Sequence, residues 1–185
     1  MLFTANVKCY NFALKLKTFT SMKTLSPNGM KILKITHIVC STMWIGGVMA
    51  LVCIMLGSKP FSQEMIYMAA KDHLVIDIWF LIPGGVGIVI TALLYSIFTK
   101  WGFVKHRWVA IKWILTIILV IIGKLYMGII IEKNMAYAER IMTEGITSEP
   151  FYTNVTNVAI AGIIQLVLFA VVLILSVVKP KKKEK

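Results

Sequence analysis

Apolar positions in this chain do not alternate with polar ones. They run together in four blocks, at residues 32–56, 74–98, 108–131 and 158–178. A spanning α-helix needs roughly 20 mostly apolar residues to cross about 30 Å of hydrocarbon, and each block is long enough. The pattern predicts an all-α membrane protein. Short connections make successive spans antiparallel neighbours, so the expected architecture is an antiparallel bundle of four transmembrane helices. That assigns residues 31–178 to one membrane domain, flanked by an arm at 1–30 and a tail at 179–185.

Composition agrees, because 58% hydrophobic residues exceeds the roughly one half usual in soluble domains. A net charge of +12 first suggests nucleic acid, but the placement of the charge excludes that partner and points to the lipid bilayer. Residues 1–34 carry six lysines and no acid, residues 99–107 add Lys100, Lys105 and Arg107, and the tail adds five lysines. The other two connections hold only Lys59, Lys71, Lys133 and Arg140, diluted by six acids. Basic segments stay on the cytoplasmic side during insertion. Both termini are therefore expected to be cytoplasmic, in the cytoplasmic (inner) membrane of a prokaryote.

In the arm, Phe3, Val7, Tyr10 and Leu14 recur at helical spacing among Lys8, Lys15 and Lys17, as in a helix lying on the membrane surface. Ser26-Pro27-Asn28-Gly29 should break any helix there. The other reading of the arm is a gene-model extension, with the start at Met22 or Met30. The tail reads as a flank that fixes orientation or as a patch for anionic lipid. Cys9, Cys40 and Cys53 suggest no disulfide framework, and no metal-binding cysteine or histidine spacing occurs. Of the external connections, 57–73 is short. Residues 132–157 form the longest loop, with a helical start that Gly145 and Pro150 should end. Asn154-Val155-Thr156 matches a glycosylation sequon but lies almost on the fourth span, and we read it as chance.

Small residues indicate where helices meet. Gly46-Gly47 in the first span, and Gly84, Gly85 and Gly87 in the second, allow close backbone approach where lipid offers no hydrophobic gain. Pro83 should bend the second span.

Ionisable groups inside spans cost about 2.5–3.5 kcal/mol at the centre on insertion scales, which makes each a functional candidate. They fall in two layers. His37, Lys112, His106 and Arg107 occupy the cytoplasmic layer, and Asp77, Lys124, Asp72 and His73 the outer one. His37, Cys40, Trp44, Gly47 and Leu51 form one stripe at spacings of three and four, and Trp108, Lys112, Thr116 and Gly123 form another. Facing each other, they would enclose a pocket of imidazole, ammonium, indole and glycine suited to an anionic or aromatic ligand. Lys112 can also be read as snorkelling to the headgroups, and His37 as satisfying a neighbouring carbonyl. A carboxylate cannot snorkel far, so an Asp77–Lys124 ion pair is the expected explanation of the outer layer, either structural or part of a proton or ligand path. His37 and His73 lie roughly 25 Å apart across the core and cannot share one iron. Only His37 with His106 could, which argues against a multi-haem cytochrome.

Two stretches carry a resemblance. Lys34-Ile35-Thr36-His37-Ile38 followed by Met43-Trp44-Ile45-Gly46-Gly47 resembles the first span of two bacterial families, and Trp108-Val109-Ala110-Ile111-Lys112 resembles the third-span motif of the second of them. These are the copper-resistance D-like proteins and the HemJ-type protoporphyrinogen oxidases, with their four-span relatives. Pro83-Gly84-Gly85 is similar to the proline-containing second span of the HemJ type. The resemblance implies a haem- or porphyrin-handling role, with His37 and Lys112 as counterparts of functional residues. The arginine-rich character of the oxidases is missing, and Asp77 with Lys124 has no counterpart there.

The expectation is a membrane protein binding haem b, a porphyrin or a quinone-like ligand in the cytoplasmic leaflet, through His37, Trp44, Lys112 and His106. His37 would be the ligand to iron if haem is bound, and otherwise the proton acceptor. The rival expectations are a small transporter or ion-handling subunit gated by Asp77 and Lys124, or an accessory subunit of a homo- or hetero-oligomer with no ligand. Whether the chain is an enzyme stays open.

Overall fold

A computed structural model describes residues 25–57, 62–99, 107–145 and 149–178. The surface helix expected within residues 1–24, the basic tail at 179–185, Lys59 and His106 lie outside the described residues. Helix α1 is Pro27–Gly57. A second continuous helix comprises α2 (Gln63–Ile76), a π-helical segment π1 (Asp77–Leu81) and α3 (Ile82–Phe98). A third comprises α4 (Arg107–Val120), a second π segment π2 (Ile121–Gly128) and α5 (Ile129–Glu144). Helix α6 is Glu149–Val178. The described residues contain four helices long and apolar enough to cross a membrane and no strand. The end of the bundle where α1 begins and α6 finishes is called terminal here, and the opposite end distal.

Local chemistry explains the boundaries, and one expectation is corrected. Ser26-Pro27-Asn28-Gly29 starts α1, and the arm helix it was expected to end lies outside the described residues. The Ser26 hydroxyl accepts from Gly29 N–H at 3.2 Å, and its carbonyl accepts from Met30 N–H at 3.0 Å. Pro27 gives up no needed donor in a first turn. Residues 132–157 are not one long loop. Helix α5 runs to Gly145, whose φ of +69° suits a residue without Cβ, and Pro150 sits in the first turn of α6. Ser62 caps α2 by accepting from Met65 N–H at 3.2 Å.

The second and third helices, of 36 and 38 residues, are about 55 Å long at 1.5 Å per residue. That exceeds the hydrocarbon thickness, so their polar distal turns lie beyond it. Here Ile66 and Ala70 of α2, Ala138 and Ile141 of α5 and Phe151 of α6 form a small apolar cluster. The main core, around Trp44, Val48, Leu51, Leu81, Leu119, Met127, Val158 and Phe169, occupies the spans. Only about 30% of each span's most apolar window is buried, and Ile35, Val86, Ile117 and Val167 are exposed. A surface that would drive aggregation in water is what a lipid solvent requires.

Both π segments have identifiable causes. Pro83 lacks an N–H and its ring crowds the carbonyl of Trp79. The turn before it widens, and Ile82 N–H bonds the Asp77 carbonyl five residues back. The third helix has no proline. There Gln165 of α6 inserts from outside and donates from Nε2 to the Leu119 carbonyl at 2.8 Å, just before the widening begins. A side chain entering the ladder is a recognised source of such a defect.

Candidate functional site

The antiparallel packing of α1 on α3 places the first candidate. His37 Nδ1 lies 2.7 Å from Thr91 Oγ1. Cys40 packs where a Cβ on Gly87 would go, and one turn on Trp44 backs onto Gly84. The approach at Gly84 is close enough to exclude a side chain, since a Cβ there would meet the Trp44 backbone nitrogen at 2.8 Å and the Cys40 carbonyl at 3.0 Å. The stripe His37, Cys40, Trp44, Gly47 therefore packs mainly on the second span, and it meets the third-span stripe at Trp44, whose ring lies 3.5 Å from where a Cβ on Gly123 would sit. The reason lies in the small residues: glycines on both the first and second spans allow the closest approach. Gly46, expected to share this role, has nothing within 4 Å.

The hydrogen bonds around His37 identify its protonated nitrogen. Thr91 Oγ1 is 2.6 Å from the Gly87 carbonyl, and two oxygens so close need a proton between them. The hydroxyl has only one proton to give, so His37 Nδ1–H donates to Thr91 and Nε2 carries the lone pair. The imidazole is half-buried and meets the Tyr95 ring edge-to-face at 5.7 Å. Lys112 acts electrostatically on it and lies with Nζ 5.6 Å from the centroid of the Trp108 ring. Helices α3 and α4 make little direct contact with each other, whereas α2 and α5 pack closely. The second and third spans thus close distally and part toward the terminal end, where Trp113 Nε1 donates to Ser96 Oγ at 3.2 Å. His37 stands beside that parting. His106 lies outside the described residues, so its expected pairing with His37 has no geometry.

Trp44, 3% exposed, sits in the bundle centre instead of a pocket wall. It meets Phe169 edge-to-face at 5.0 Å and packs against Gly85 and Gly123. Gln165 beside it is completely buried, and its Oε1 has no hydrogen-bond partner.

The distal layer differs from expectation. Lys124 Nζ is 3.7 Å from Glu132 Oε1, and the ion pairs among the described residues, this one and Arg140–Glu144, do not include Asp77. The direct Asp77–Lys124 pair is corrected to a longer-range interaction, in which Lys124 and Glu132 both act on the Asp77 carboxylate. Lys124 lies on the exposed face of π2, while Asp77 is 2% exposed. His73 is also buried, at 4% exposure, and its Nε2 lacks a partner. Asn154 Nδ2 donates to Asn134 Oδ1 at 2.9 Å.

A search for ionisable groups overlooks Thr91, Gln165 and the Asn134–Asn154 pair. Gln165 did leave a signal, as an amide in the middle of an otherwise apolar block. Asn154, set aside as a chance sequon, is half of a part-buried amide pair with the buried Asn134.

Four spanning helices, an outward apolar surface and polar groups held at two depths define a multi-pass α-helical integral membrane protein. Residues 31–180 match the family described as predicted integral membrane protein (DUF2269), and the chain belongs to that family. No curated protein and no solved structure matches the chain.

Proposed function

We propose that the protein binds a flat aromatic ligand, a porphyrin, haem or quinone, beside His37 where the second and third spans part. The observation that carries this reading is the hydrogen bond from His37 Nδ1 to Thr91. It orients the imidazole and leaves Nε2 as the basic nitrogen, as second partners do for histidines that ligate metals or accept protons. The residues fit haem in that one respect: Nε2 is the axial donor a haem iron takes, and bound haem would supply one-electron chemistry. Lys112 supplies positive charge for a propionate or similar anion, and Tyr95 an aromatic edge. The resemblance to the HemJ-type and copper-resistance D-like families supports the same choice. The basic-residue asymmetry supports a cytoplasmic-leaflet location for this end of the bundle, in a prokaryotic inner membrane.

The test is an absorption spectrum of detergent-purified protein, as isolated and after addition of haem, with ubiquinone titrated by tryptophan quenching. A Soret band or saturable quenching that His37→Ala abolishes and His73→Ala keeps is expected. Absence of both signals in the unaltered protein sinks the reading. Orientation is checked separately: cysteines placed at Glu144 and Lys182 should react with an impermeant reagent on intact cells at 144 only.

A further inference from the structure

We propose that the distal polar layer is a binding site for a divalent transition-metal ion, held by His73 and Asp77 with an amide oxygen of the Asn134–Asn154 pair. The site is independent of the ligand assigned to His37. Ile66, Ala70, His73 and Asp77 are the buried stripe of the second helix in this region. Between His73 and Asp77 the backbone is still α-helical, since Asp77 N–H bonds the carbonyls of His73 and Leu74. The two side chains are therefore four residues apart on one face, the spacing by which a helix presents two ligands to one ion.

Three further observations point to a bound cation. First, His73 Nε2 is buried with no hydrogen-bond partner, although a buried polar atom left unpaired costs about 1–3 kcal/mol. Second, Asp77 is 2% exposed yet belongs to neither ion pair of the described residues. Third, the facing helix presents more acceptor oxygen. The register that packs Ile66 and Ala70 with Ala138 and Ile141 brings His73 level with Asn134, which is 3% exposed. Because Asn154 spends an N–H on Asn134 Oδ1, the Asn154 carbonyl oxygen keeps its lone pairs.

Local charge is balanced: Asp72, Asp77 and Glu132 lie in this region with Lys71, Lys124 and Lys133, in a chain whose net charge is +12. An imidazole nitrogen with carboxylate and amide oxygens is a borderline donor set, which suits Zn²⁺ or Co²⁺ and lacks the sulfur that Cu⁺ prefers. Among the described residues no third histidine, cysteine, aspartate or glutamate completes the set. Water fills what the amide oxygen does not, so the ion is exchangeable and weaker-bound than in a four-ligand structural site. Asp77 also opens π1, and π segments recur at functional sites.

The experiment uses full-length, tag-free protein in detergent, stripped with chelator. Titration with Co²⁺ should give a visible d–d band that saturates near one equivalent and is displaced by Zn²⁺. Zn²⁺ in roughly 100-fold excess over its Kd should raise the unfolding midpoint by about 4 °C or more. His73→Gln and Asp77→Asn, both close in shape to the originals, should each weaken Co²⁺ binding at least tenfold. Asn154→Ala should weaken it less, and His37→Ala should leave it unchanged. If His73→Gln does not fold, Asp77→Asn and Asn154→Ala carry the test. No Co²⁺ band, a band indifferent to His73 and Asp77, or one lost only in His37→Ala overturns the proposal.

Discussion

The terminal and distal halves of this bundle bury polar groups in opposite ways. At the terminal end α1 and α3 form a tight, glycine-mediated pair, while α3 and α4 make little backbone contact and are bridged by the Trp113–Ser96 hydrogen bond. The polar residue there, His37, is half-buried and already oriented by Thr91. At the distal end the helices close around a small apolar cluster, and the polar residues beneath it are enclosed but incompletely satisfied. The first arrangement presents a group to something that arrives from lipid or solvent. The second encloses groups that need something brought to them. Composition alone does not tell these apart, because each layer reads as a few ionisable groups near one end of the apolar blocks. The difference comes from which helices pack.

The strongest way to break this comparison is to force apart the pair on which the terminal half depends. Gly84→Leu pushes a side chain into the Trp44 backbone, which cannot rotate away. It should cost about 3 kcal/mol or more, seen as lost expression or a large drop in unfolding midpoint, while Gly46→Leu should be tolerated. An equal effect at both positions would mean the α1–α3 packing is wrong.

Gln165→Leu probes the junction between the halves. It removes an oxygen without a partner but also the amide that satisfies the Leu119 carbonyl. The expected net loss is about 1–3 kcal/mol. Full retention of stability would show that π2 does not depend on this insertion.

A double-mutant cycle on Asn134→Ala and Asn154→Ala should give a coupling near 0.6 kcal/mol, typical of hydrogen bonds between membrane helices. Strict additivity would separate the two amides and with them the enclosure of the distal layer. A small effect on stability is expected from Thr91→Val. It removes the acceptor for His37 Nδ1–H at a cost of about 1 kcal/mol, yet should shift or weaken any ligand spectrum that depends on His37. A spectrum indifferent to Thr91 would detach orientation of the imidazole from ligand binding.

A cycle on Asp77→Asn and Lys124→Met sharpens the distal half further. The sequence argues for a direct pair and hence strong coupling. The structure places Lys124 with Glu132 and leaves only longer-range attraction to Asp77, so the two effects should be nearly additive.

The four spans, their order and the helical class were legible in the chain, because hydrocarbon thickness sets a length that any reader of apolar blocks can count. His37, Trp44, Lys112, Asp77 and Lys124 were legible as candidates for a similar reason: ionisable and small residues are rare where lipid penalises them. Their partners were not. Periodicity showed that His37, Cys40, Trp44 and Gly47 share a stripe, but a stripe does not say which helix it meets. That depended on glycines in the second span lying opposite. Lys124 has Glu132 as its ion-pair partner, while Asp77 is buried. The π segment that holds Lys124 begins beside the hydrogen bond from Gln165 to Leu119, and no local reading of residues 121–128 could register that contact. Within a span the bilayer dictates composition residue by residue, whereas register and facing are decided by contacts between helices, which exist only once all four are assembled.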